Sequence, residues 1–159
     1  MTRRAWRAGL MMVAGMSLAG GPAGAQVGRF PLFAPIAGAA GRCVVSPGHE
    51  AVPGEHANRT VSLQLDGEPS RRLSVVTNAR GGVASFTASI TASRGPSQPS
   101  TEVATAQYDP NGRLIRGERS FSLLQTPPAR TATTMRAITP DESSQGLQLA
   151  KRVLERCGP

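Results

Sequence analysis

Two histidines and two glutamates stand within eight residues, His49-Glu50 and Glu55-His56, separated by Ala51-Val52-Pro53-Gly54. Imidazole and carboxylate are ligand types that zinc accepts. The spacing departs from the helical H-E-x-x-H site. Pro53-Gly54 also prevents a single helix from carrying both imidazoles on one face. A hairpin-like loop would still bring the four groups together. His49, Glu50, Glu55 and His56 are therefore weak metal candidates, set against the plainer reading of a solvated polar loop.

Other catalytic chemistry has less support. No G-x-S-x-G elbow, S-x-x-K pair or phosphate-binding glycine loop occurs. A serine nucleophile needs a base, and both histidines sit in that one loop. Asp66, Glu68, Glu102, Asp109 and Glu118 fall near predicted turns or strand ends. Exposed carboxylates are ordinary there. Asn58-Arg59-Thr60 matches a glycosylation sequon, a three-residue match that is frequent by chance. No catalytic residue is assigned, and no cofactor is expected.

Cys43 and Cys157 are the two cysteines. An even count in an oxidising compartment reads as a disulfide. Closing so long a loop contributes about 4–5 kcal/mol in the chain-entropy model. Two free thiols, or a metal pair without C-x-x-C spacing, are the alternatives. Cys43 follows Arg42, where a lipoprotein signal needs a small residue.

The compartment is read from the N-terminus. Arg3, Arg4 and Arg7 precede a short apolar run, Leu10 to Ala19, and then Ala23-Gly24-Ala25 before Gln26. A charged region, an apolar region and an A-x-A site in that order predict a secretory signal peptide over 1–25. A membrane anchor is the alternative, but the run is about half the ~20 residues that a spanning helix needs. Removing the three arginines leaves 15 basic against 10 acidic residues, a balance of +5. That favours anionic partners by long-range attraction. For an exported chain these are envelope components, or another envelope protein, rather than nucleic acid. After Trp6, the aromatics are Tyr108 and four phenylalanines, a poor set of stacking platforms for bases.

These residues need elements to position them. Residues 26–41 form a Pro/Gly/Ala-rich leader carrying Phe30, Leu32, Phe33 and Ile36. It is either a flexible linker or a segment laid against the domain, and order is expected to begin near Cys43. Arg42–Ser46 reads as a short strand. Period-two alternation then predicts strands over 60–66, 71–78, 83–92, 102–108 and 113–124. A last β-prone stretch covers 131–138. In 83–92 the dry face is Ala84, Phe86, Ala88 and Ile90; in 113–124 it is Ile115, Phe121 and Leu123. Asp109-Pro110-Asn111-Gly112 is a type I turn with a glycine bulge, which absorbs the out-of-phase Leu114. The surrounding octet, Tyr108 to Ile115, resembles one unit of the YD-type repeat of large secreted shell proteins. A single copy implies shared hairpin chemistry and no function.

The period then changes to three and four. Thr139-Pro140-Asp141-Glu142 opens a helix with a capping box, and Gly158-Pro159 closes it. Leu147, Ala150, Leu154 and Cys157, with Val153, form its apolar stripe. Leu147, Val153 and Leu154 are each expected to be largely buried.

The expected fold is α+β: a mainly antiparallel, curved, meander-like sheet of about five to seven short strands, covered by one C-terminal amphipathic helix. Residues 42–159 make one domain, expected to be monomeric, exported and without a transmembrane segment once cleaved. Arg71, Arg72, Arg80, Arg94, Arg113, Arg116 and Arg119 lie in or beside the strands. Of these, Arg113, Arg116 and Arg119 are the expected contacts to an anionic partner. The favoured reading is a non-catalytic binding or structural module of the cell envelope. A carrier of a small apolar ligand between sheet and helix is the first alternative. A metal-dependent hydrolase using the His49/His56 loop is the second.

Overall fold

The computed structural model describes residues 27–46, 58–93, 99–125 and 130–158. The signal segment and the His49–His56 loop lie outside them. Among the described residues seven strands follow one another: β1 (Gly41–Ser46), β2 (Thr60–Leu65), β3 (Ser70–Thr77), β4 (Val83–Ser93), β5 (Pro99–Tyr108), β6 (Leu114–Gln125) and β7 (Arg130–Ala137). Each pairs antiparallel with the next, so chain order and sheet order coincide and β1 and β7 are the edges. Short connections join β2 to β3, β3 to β4 and β5 to β6, and pairing between consecutive strands makes a meander. Helix α1 (Pro140–Cys157) follows.

Register explains which side is dry. One row across the sheet runs Cys43–Leu63–Leu73–Ala88–Ala104–Arg119–Arg136. A second runs Leu65–Arg71–Ile90–Glu102–Phe121–Thr134. These rows make the covered face. The opposite face is rich in serine and threonine, with cross-strand hydroxyl pairs Ser62–Ser74 (3.1 Å) and Thr91–Thr101 (3.2 Å).

Two bulges shift the expected phase. Between β3 and β4 the register slips so that Val76 opposes Ser85 and Thr77 opposes Val83. Val83, rather than Ala84, therefore turns into the core. Between β5 and β6, Gln107 opposes Arg116 and Tyr108 opposes Leu114, leaving Ile115 as the extra residue. Ile115 is thus outside the core, and β5 starts at Pro99, ahead of the expected start at Glu102. Proline is tolerated there as the first residue of a strand.

Helix α1 begins as its residues dictate. Glu142 N donates to Thr139 Oγ1 (3.2 Å), and Thr139 N donates to a Glu142 carboxylate oxygen (2.9 Å). The helix lies on β1 to β4. Its buried stripe is Ser143, Gly146, Leu149, Ala150, Val153 and Cys157. Val153 is buried as expected, but Leu147 and Leu154 are only partly covered and flank the stripe. Leu149 takes the place they were given. Gly146 allows the close approach: a Cβ there would lie 3.1 Å from Tyr108 Oη and 3.4 Å from the Phe33 and Phe86 rings. Tyr108 Oη donates to Ser143 O at 2.9 Å.

Helix α1 does not cover the dry face alone. The leader is laid against the domain, and Leu32 and Ile36 belong to the core. Packed structure therefore already includes Gly28 to Ile36, well ahead of Cys43. Cys43 and Cys157 are bonded, with Cα atoms 5.4 Å apart across 114 residues of chain. The bond ties edge strand β1 to the last turn of α1.

Candidate functional site

The β5–β6 hairpin holds the exposed pair among the three arginines expected to meet an anionic partner. Its turn is built from Asp109. The carboxylate Oδ1 accepts from Asn111 N and Arg113 N, both at 2.8 Å. Asp109 O accepts from Gly112 N at 2.9 Å, and Gly112 takes φ +80°, which a side chain would strain. The next four residues are Arg113-Leu114-Ile115-Arg116, all exposed. Ile115 is 67% exposed and Leu114 39%. Arg116 approaches Glu118 at 3.5 Å, but its side chain is 75% exposed. An exposed pair at that distance holds the guanidinium weakly, at about 0–1 kcal/mol. A shallow depression of about 210 Å³ lies beside it, lined by Thr105, Gln107, Arg116, Gly117 and Glu118.

Arg119 does not join Arg113 and Arg116. It is on the covered face, 6% exposed, because its phase on β6 is that of Phe121. Its Nε donates to Glu102 Oε1 at 2.6 Å. Its Nη1 bonds Glu142 Oε1, and its Nη2 donates to Phe30 O at 2.7 Å. The guanidinium also lies over the Phe33 ring, 5.8 Å from its centre. Arg119 is therefore removed from the anionic-contact surface. Arg71 is likewise buried on β3, and burial lowers its pKa. It donates to the carbonyls of Leu32 and Ala34. Arg72 and Arg80 are exposed, on β3 and the turn after it, with β4 between them and the hairpin. Arg94 lies outside the described residues.

Charged side chains hold the leader: Glu102, Arg119 and Arg71, which are buried, and Arg156, which is exposed. Glu102, fully buried, accepts from Gly28 N through Oε1 and from Phe30 N through Oε2 (2.8 Å). Arg119, Arg71 and Arg156 take the carbonyls of Phe30, Leu32, Ala34 and Ile36. Turn bonds within the leader satisfy Leu32 N, Ala34 N and Ala39 N, and the charged side chains take Gly28 N, Phe30 N and those four carbonyls. Phe30 stacks on Phe121, ring centres 6.3 Å apart. Glu102 was expected among exposed carboxylates near strand ends. The signal that would have placed it is its phase: Glu102, Ala104, Ala106 and Tyr108 all share the dry face of β5.

Glu142 links this cluster to the helix. Arg136 binds it through two nitrogens, at 2.7 and 2.6 Å. The Arg136 guanidinium first, then the Thr139 amide and Arg119, hold the Glu142 carboxyl down at about 2. A carboxyl whose folded value is depressed contributes stability above its unfolded value, here 4.5, and loses it as pH falls toward 2. Urea midpoints measured across that window should decline for the native chain. The Glu142→Gln variant should lose much of that slope and start about 1–2 kcal/mol lower at neutral pH, because solvent screens a partly buried carboxylate whose partner Arg136 is about a third exposed. An identical slope in both proteins would place the acid sensitivity elsewhere.

The remaining candidates divide in two. The cysteines are brought together as a disulfide and are not free thiols. His49, Glu50, Glu55 and His56 lie outside the described residues. Among the described residues no cluster of three or more His, Cys, Asp or Glu could hold a metal. Between sheet and helix the space is occupied by Leu32, Leu63, Leu73, Val75, Phe86 and Val153, each at most 1% exposed. An open groove of about 500 Å³ runs along the outer seam of leader and helix, past Ile36, Ala39, Arg152 and Arg156. Against known proteins, no family model, curated protein or solved structure matches this chain.

Proposed function

We propose that this protein is an exported, non-catalytic module of the cell envelope that contacts anionic envelope components through Arg113 and Arg116. Residues 1–25 are its cleaved signal, and it works in the periplasm or outside the cell as a monomer. The observation that carries this reading is the exposed Arg113-Leu114-Ile115-Arg116 tip on a turn held by four hydrogen bonds. The cysteine pair suits an oxidising compartment. No helix among the described residues is long and apolar enough to cross a membrane.

The attraction is electrostatic and exposed, so salt must weaken it. The Debye length falls from about 30 Å at 0.01 M to about 8 Å at 0.15 M ionic strength. Binding to anionic vesicles or anionic wall polymer, followed by co-sedimentation, should be clear at low salt and fade toward physiological strength. The double variant Arg113→Glu/Arg116→Glu should weaken it further with an unchanged melting temperature. Undiminished binding by that variant, or no binding by the native chain at low salt, would sink the proposal.

A further inference from the structure

The same tip carries two aliphatic side chains that electrostatics does not explain. Ile115 is the extra residue of the β5–β6 bulge, so it has no partner across the strands and is 67% exposed. Leu114 is opposite Tyr108 yet 39% exposed. Single exposed aliphatics are common on protein surfaces. These two are adjacent, at the tip of a hairpin, and bracketed by Arg113 and Arg116. The Asp109 carboxylate at the turn is occupied by two backbone amides, and Glu118 meets Arg116 at 3.5 Å.

We infer that this hairpin tip docks on an anionic lipid bilayer, with Ile115 and Leu114 entering the headgroup layer and Arg113 and Arg116 lying among the lipid phosphates. The inference rests on the anionic-surface reading above and names lipid, rather than wall polymer, as the surface. The pattern fits a bilayer because a bilayer offers both halves of the complement. Its phosphates attract guanidinium groups, which also hydrogen-bond them in pairs. Its acyl boundary takes up apolar side chains that a hydrated polymer has no place for. Tight turns suit shallow entry, since their backbone groups are bonded within the turn and need no water. A single tip of this size makes a reversible contact, not an anchor.

The sequence provides a clean probe, because Trp6 is the only tryptophan. In a Trp6→Phe background, Ile115→Trp puts the sole indole at the tip whether or not the signal has been removed. With vesicles of phosphatidylglycerol and phosphatidylcholine, its emission should move to shorter wavelength and be quenched by lipids brominated on the acyl chain. Pure phosphatidylcholine vesicles should leave it unchanged. In the native background, Ile115→Asp should weaken binding to anionic vesicles about tenfold or more, the scale of withdrawing one large aliphatic group. It should leave binding to anionic wall polymer within about twofold to fivefold, the worth of one charge near a surface. Polymer binding without vesicle binding or spectral change would overturn the lipid inference and leave the anionic-surface reading standing. Binding to neither would remove both. Equal losses on vesicles and polymer for Ile115→Asp would also overturn it, because that outcome assigns the residue no apolar role.

Discussion

Glu102→Ala should lower the stability of the domain by about 3–5 kcal/mol, the range for breaking a buried ion pair from one side. Glu102 is fully buried, bonded to Arg119 and to two leader amides. Its removal leaves Gly28 N and Phe30 N without acceptors and takes one carboxylate from the Arg119 guanidinium. Glu142 still faces Arg119, so the cation is not abandoned, which keeps the loss below that of an isolated buried charge. The leader should loosen first. Hydrogen exchange at Gly28 and Phe30 should therefore rise more than exchange in β2 or β3. Glu102→Gln keeps acceptor capacity and should cost less than Glu102→Ala. If chemical denaturation places Glu102→Ala within about 0.5 kcal/mol of the native chain, the usual range for plain surface substitutions, the cluster is not what holds the leader.

The disulfide should matter as much. Cys157→Ser opens a loop spanning 114 residues. In the chain-entropy model that is about 4–5 kcal/mol, or a fall on the order of 15 °C in Tm for a domain of this size. Its position adds to the loss, because the bond joins an edge strand to the end of the helix that covers the sheet. Among the described residues strand β1 pairs with β2 alone, and Val44 and Val45 are exposed on it. Without the bond, β1 and the last turn of α1 become the least secured elements. Native protein treated with reductant should match the variant. A Tm unchanged by reduction would mean that the folded state keeps this geometry by packing alone.

These expectations differ in how far the sequence reached them. The alternation of Val61, Leu63 and Leu65, and of Leu73 and Val75, already defined strands with one dry face. Asp109 to Gly112 defined the hairpin, and Thr139 to Glu142 the helix start. The cysteine on the apolar stripe of the helix pointed to its bond with Cys43. All of these rest on interactions within a few residues, apart from the disulfide, where two cysteines leave one possible intramolecular pair.

The tertiary structure decided the rest, for reasons that local pattern does not contain. Arg119 was expected in solvent with Arg113 and Arg116, although it shares the phase of Phe121 and so belongs to the dry side. Glu102 on β5 and Arg71 on β3 carried the same signal. Charged side chains in a dry phase become intelligible only when strands are placed side by side and partners appear. The contacts that settle the matter span 72 residues from Phe30 to Glu102 and 89 from Phe30 to Arg119. No local period encodes such distances. The bulges at Ala84 and Ile115 reversed the phase of single residues, because register is a property of two strands and not of one. The sequence by itself determined the order of elements, the dry faces of β2 and β3 and the covalent tie. Packing alone decided that the leader completes the core, and that Arg113 and Arg116 remain at the surface while Arg119 is consumed within it. Desolvation explains that division: a guanidinium can be buried only where carboxylates and carbonyls replace its water, and the fold assembles those around Arg119.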